Sequence, residues 1–93
     1  MEKQIVECFK ALGDPIRFKI YSQLRHGSVC ACDFIEVLDL EIAQPTLSFH
    51  LKKLNQCGLI DVKKDGIWKF YSINQEVDKL MKDFWDNSNK VLF

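Results

Sequence analysis

The chain has 93 residues, enough for one domain, and buries only a little over ~60% of its unfolded surface, so it gains stability from a partner. Its content of 47% hydrophobic and 28% charged residues is ordinary for a globular protein, and no apolar run approaches the ~20 residues of a membrane span. A formal net charge of zero excludes a uniformly basic surface, so any nucleic-acid contact must come from local clustering of lysines.

The N-terminal stretch Met1 to Lys10 lacks the apolar core of a signal peptide, which predicts a cytoplasmic protein whose four cysteines stay reduced. Ile5, Cys8, Phe9 and Leu12 recur at helical spacing, so a first helix is expected from about Glu2 to Leu12, ended by Gly13. Asp14 and Pro15 restart a helix, as N-cap and first helical residue. Ile16, Ile20 and Leu24 line its buried face, and Gly27 stops it. A third helix is expected from about Ala31 to Leu38, burying Phe34, Ile35 and Leu38.

After a turn over Asp39 to Ala43, a fourth helix is expected from about Gln44 to Cys57, closed by Gly58. Leu47, Leu51 and Leu54 form its buried stripe; at ~100° per residue, Pro45, Phe49, Lys52, Lys53 and Gln56 face the other way, with Thr46 and Ser48 on the flanks. Leu59 to Lys63 and Trp68 to Ile73 read as strands, with Asp65-Gly66 as the hairpin signal between them. A last helix starts near Asn74. Its apolar stripe, Val77, Leu80, Met81, Phe84 and Trp85, has no partner within the chain on this reading and is expected to form a dimer with the first helix. The predicted fold is one domain over 1–93: mainly α with a β-hairpin, a winged helix-turn-helix of about five helices and a two-stranded wing.

Helix, turn and a second helix with one polar face make a DNA-reading unit. Gln44, Thr46, Ser48 and Phe49 are expected nearest the bases, Phe49 as a partner for a thymine methyl. Lys52, Lys53, Lys64 and Lys69 are expected nearest phosphates. From Lys52 to Lys69 five lysines stand against Asp61 and Asp65, so basic charge gathers on the fourth helix and the hairpin. His50 leans toward the buried stripe, between a DNA contact and a hydrogen-bonded structural role. Double-stranded DNA is the expected partner.

Cys30 and Cys32 stand at the start of the third helix. Residues i and i+2 lie ~200° apart on a regular helix, so they cannot chelate from its middle. At the first turn both sulfurs can converge, and the helix dipole there favours thiolate, the form that binds soft ions. The bland alternative is two small core residues. Cys8 and Cys57 read as core, since free cysteine is among the most buried residue types. Cys8 is the better of the two as a third thiolate.

These stretches resemble the ArsR/SmtB family of winged-helix repressors. The resemblance rests on Phe9 to Arg17, on Val29-Cys30-Ala31-Cys32-Asp33, on Gln44 to Leu51, and on Gly66-Ile67-Trp68-Lys69-Phe70-Tyr71. It implies a homodimer that represses a detoxification or homeostasis operon and leaves DNA on binding its ligand. The Cys-x-Cys-Asp motif is similar to that of members responding to arsenite and antimonite, which implies As(III) or Sb(III), or another soft thiophilic ion, at Cys30 and Cys32. The chain departs from that pattern at Ile35, where many arsenite sensors carry a third cysteine, at Ala43, where a serine cap is usual, and at Ile67, where the wing tip often carries a basic residue. The last helix has no histidine, and Asp78, Asp83 and Asp86 alone are poor zinc ligands.

Three rival classes remain open. A thiol oxidoreductase lacks a catalytic base in the sequence and leaves most of the chain unexplained. A winged helix that binds only protein fits zero net charge but not the clustered lysines. A DNA-binding redox switch differs only in its trigger, disulfide formation in place of ligand capture.

Overall fold

The computed structural model describes residues 2–92, with side-chain surroundings for 2–86. Helices α1 (Glu2–Leu12) and α2 (Pro15–Leu24) are followed by a short strand β1 (Val29–Cys30), a 3-10 turn (Ala31–Asp33) and the one-turn helix α3 (Phe34–Val37). Helix α4 (Gln44–Gln56), strands β2 (Ile60–Asp65) and β3 (Trp68–Ile73), and helix α5 (Gln75–Leu92) complete the order. The expected winged helix-turn-helix is what the chain adopts, with α3 and α4 as the helix pair and β2–β3 as the wing.

Local chemistry accounts for the boundaries. The Asp14 carboxylate accepts from the backbone N–H groups of Ile16 (2.9 Å) and Arg17 (3.0 Å), capping α2 ahead of Pro15. Gly58 ends α4 at φ +88, where a Cβ would come within 2.5 Å of the Gln4 side chain, so glycine both turns the chain and lets α1 approach. Ala43 caps α4 with no side-chain acceptor, which costs ~1 kcal/mol relative to serine.

The core gathers one face of every helix. Ile5 and Cys8 of α1, Ile20 and Leu24 of α2, Phe34 of α3, and Leu47, Leu51 and Leu54 of α4 are buried together with Leu59, Ile60 and Ile73. Phe34, fully enclosed and edge-on to Tyr71, contributes on the order of 1.5–3 kcal/mol by burial.

Four expectations need correction. The sheet has three strands in the order β1-β3-β2, not two, because Val29 and Cys30 pair antiparallel with Tyr71 and Phe70. The third helix is shorter than expected, since the backbone of Ala31–Asp33 tightens into a 3-10 turn. The hairpin turns on Gly66 (φ +61) and Ile67, with Asp65 already paired to Trp68; glycine at the first central position suits a type II′ turn. The α5 stripe is not uncovered throughout. Val77 and Met81 are buried in the chain's own core and Leu80 is half-buried, so only Phe84 and Trp85 remain exposed.

Candidate DNA-reading surface and thiol site

Helix α4 is anchored by Leu47, Leu51 and Leu54, which turns its other face outward. Gln44, Thr46, Ser48, Phe49, Lys52 and Lys53 are all exposed. Phe49 is 52% exposed with the Lys53 ammonium 5.4 Å from its ring centroid, so an apolar ring and a cation share one surface point. Lys64 and Lys69 pair across the hairpin, which places two cations at the same level of the wing.

His50 does not belong to that surface. It is buried, and the Arg17 guanidinium donates to its Nδ1 at 3.1 Å. Arginine has no acceptor, so Nδ1 must be the unprotonated nitrogen. Arg17 Nε also donates to the Ala11 carbonyl at 2.6 Å, and the Asp14 carboxylate lies 3.7 Å from His50 Nδ1. Of the two roles the sequence leaves open for His50, DNA contact and a hydrogen-bonded structural one, its burial and the bond to Arg17 favour the second: it ties α4 to the α1–α2 corner. The backbone N–H of Arg17, with the charge of its guanidinium, holds the Asp14 carboxyl below its usual range. The sequence pattern put His50 near the leucine stripe but carried no signal for Arg17, whose partner is 33 positions away.

The sulfurs of Cys30 and Cys32 lie 2.7 Å apart, and a carboxylate oxygen of Asp33 falls with them inside a 4.8 Å cluster. The two thiols converge because Cys30 ends an extended strand and Cys32 sits in a 3-10 turn, not on a regular helix. Cys30 is buried and Cys32 exposed, which gives the pair one anchored and one accessible member. The expected lowering of the thiol pKa is not found at Cys32. Its hydrogen bond with Cys30, together with the Asp33 charge, pushes it up to about 11.

A cleft of about 290 Å3 opens beside the pair. Cys30 and Cys32 line it with Gln44 from α4 and Ile67, Trp68 and Lys69 from the wing. Sequence reasoning missed this convergence, because the wing residues of the cleft, Ile67 to Lys69, lie 37 to 39 positions beyond Cys30. The other cysteines lie elsewhere. Cys8 is fully buried and donates to the Cys57 carbonyl at 3.3 Å, and burial pushes it up to about 12. Cys57 donates to the Leu54 carbonyl. Cys8 is thus a core thiol within its own chain.

A helix-turn-helix with an exposed polar second helix and a lysine-bearing wing defines a winged helix-turn-helix transcription regulator, a DNA-binding protein and not an enzyme. The family model for the bacterial regulatory protein, arsR family, matches residues 14–62, and the chain belongs to that family. It is 38% identical over 74 residues to an arsenical resistance operon repressor of Staphylococcus xylosus, covering 80% of this chain and 69% of the relative. An uncharacterized HTH-type transcriptional regulator of Methanocaldococcus jannaschii is 42% identical over 86 residues, 89% of this chain and 91% of that protein. A solved ArsR family transcriptional regulator superposes with a TM-score of 0.85 at 21% identity, covering 99% of this chain and 93% of its own, a likeness of fold. Among the described residues no helix is long and apolar enough to cross a membrane.

Proposed function

We propose that the protein is a homodimeric repressor that holds operator DNA through α4 and the wing and releases it when Cys30 and Cys32 capture trivalent arsenic or antimony. The observation that carries this reading is the thiol pair itself: two sulfurs 2.7 Å apart, in a cleft shared with the first residue of α4 and the tip of the wing. Capture of As(OH)3 needs no net proton release, because each thiol proton leaves with a hydroxide as water. Two As–O bonds break and two As–S bonds form. A divalent soft ion would instead expel two protons. The similarity to a repressor of arsenical resistance supports the same assignment.

Binding at the cleft acts on both reading elements at once. Gln44 begins α4, and Lys69 belongs to β3, so a ligand between them alters their separation. A coupling of ~1–3 kcal/mol lowers DNA affinity roughly 5- to 150-fold. In the bound state Gln44, Thr46, Ser48 and Phe49 meet base edges, and Lys52, Lys53, Lys64 and Lys69 meet phosphates. Anisotropy of labelled upstream DNA tests this. Lys64→Ala should weaken all sequences alike and flatten the salt slope by about one unit, while Gln44→Ala relaxes specificity at one position per half-site. Unchanged binding by a Gln44→Ala, Ser48→Ala variant contradicts the reading.

The short sulfur separation also favours a second trigger, oxidation of the pair to a disulfide. Thiol counting before and after arsenite, under reducing conditions, separates the two.

A further inference from the structure

Two cysteines outside the thiol pair meet across the interior. Cys8 on α1 and Cys57 at the end of α4 are 49 positions apart, and the Cys8 thiol donates to the Cys57 carbonyl at 3.3 Å. Gln4, one turn earlier on α1, donates to the same carbonyl at 3.2 Å. The two cysteine side chains are near enough to interact: burial first, then the Cys57 side chain, push the Cys8 thiol up to about 12.

The two members are unequal. Cys8 is fully buried, whereas Cys57 is half-buried and lines an open cleft of about 320 Å3. Around that cleft stand Lys10 of α1, Arg17 of α2 and Lys53 of α4, against one acid, Glu7. Lys10 is paired with Glu7 at 3.7 Å, so Arg17 and Lys53 carry the excess positive charge. A cleft lined by one sign of charge raises the local concentration of an oppositely charged reagent. The thiol such a reagent meets there is Cys57, with Cys8 behind it.

We propose that Cys57 is a modification site for an anionic low-molecular-weight disulfide, R–S–S–R, and that Cys8 resolves the adduct into a Cys8–Cys57 bond. In the first exchange the Cys57 sulfur attacks the reagent. The R–S–S–R bond breaks, a Cys57–S–S–R bond forms, and the Cys57 proton leaves in one RSH. In the second exchange the Cys8 sulfur attacks the Cys57 sulfur, and the Cys8 proton leaves in a second RSH. Two cysteines are oxidised and one reagent disulfide is reduced to two thiols. The Cys57 thiol now donates to the Leu54 carbonyl at 3.2 Å; the sequence gives up that bond and the one from Cys8 to the Cys57 carbonyl. Cys8 does not begin the sequence, because it is fully buried. The new bond ties the end of the reading helix to α1, and it involves neither Cys30 nor Cys32.

The test uses the full chain carrying Cys30→Ser and Cys32→Ser, so that only Cys8 and Cys57 can react. It is exposed to oxidised glutathione, an anionic disulfide, or to cystamine, a cationic one, and followed by intact mass and peptide mapping. Oxidised glutathione should remove two hydrogens from the folded chain and leave one cross-linked peptide pair, Cys8 with Cys57. Its rate relative to cystamine should exceed the ratio for the same chain unfolded in urea by on the order of tenfold at low salt. Added salt and, independently, Lys53→Gln should each lower that preference. Adding Cys8→Ala should stop the reaction at a lasting glutathione adduct on Cys57, and adding Cys57→Ser should abolish uptake. A lasting adduct in the chain that keeps both thiols, uptake at Cys8 without Cys57, or a folded-chain preference equal to that of the unfolded chain overturns the proposal.

Discussion

Cys30 stands directly opposite Phe70 in the antiparallel pairing of β1 with β3. The anchored thiol and the strand that carries Trp68 and Lys69 therefore belong to one sheet, and on the proposed thiol capture a displacement at the sulfur would act on the wing through this pairing.

The pairing makes Trp68 a reporter. In a Trp85→Phe background, arsenite should change the fluorescence of Trp68, which shares the thiol cleft. Cys32→Ser should abolish the change. An unaltered Trp68 signal at saturating arsenite would show that the ligand sits away from the wing.

The dimer should depend on the exposed end of α5. Phe84 is 43% and Trp85 65% exposed, next to a cleft of about 410 Å3 that Phe9 and Leu12 of α1 also line. Sedimentation of a Phe84→Asp, Trp85→Asp variant should show monomer. Because Val77 and Met81 already serve the chain's own core, this variant should keep its fold, visible as unchanged far-ultraviolet dichroism.

Asp14, Arg17 and His50 should carry a measurable share of stability. Arg17→Met leaves the Ala11 carbonyl and His50 Nδ1 without their donor, at ~1–3 kcal/mol in urea unfolding. Asp14→Ala should cost ~0.5–2 kcal/mol at neutral pH through the lost cap. The Asp14 carboxyl is held below its unfolded value of ~3.9, so its stabilisation is complete above that pH and is lost as pH falls through the lower folded value. The gap between wild type and Asp14→Ala should accordingly narrow in acid. A gap independent of pH would mean that the charge does not contribute.

The buried pair of Tyr21 and Asp78 joins α2 to α5. The Tyr21 hydroxyl donates to the Asp78 carboxylate, and Lys82 lies 3.4 Å from its other oxygen. Burial, then Asp78, push Tyr21 up to about 12. Tyr21→Phe removes a donor from a buried carboxylate and should destabilise the fold by ~1–3 kcal/mol. An effect near zero would mean that Lys82 alone satisfies Asp78.

How much of this was legible depends on the range of the interaction. Helices α1, α2 and α4 announce themselves through local periodicity and through Asp14, Pro15 and Gly58. Strand β1 does not, because two residues carry no period and its partners Phe70 and Tyr71 are some forty positions away. The α5 stripe is legible as apolar, but periodicity gives a face and not its neighbours, so it does not show the core role of Val77 and Met81. The thiol pair was visible as a motif. The Trp68 wall beside it was not, since only the fold brings the wing to Cys30.

The most direct test of the central claim is DNA release by arsenite from single-cysteine variants, measured by anisotropy under reducing conditions. Cys30→Ser and Cys32→Ser should each bind DNA like wild type and fail to let go when arsenite is added, while Cys57→Ser, whose thiol donates to the Leu54 carbonyl, should release normally. Release by both Cys30→Ser and Cys32→Ser at wild-type arsenite concentrations would contradict the account.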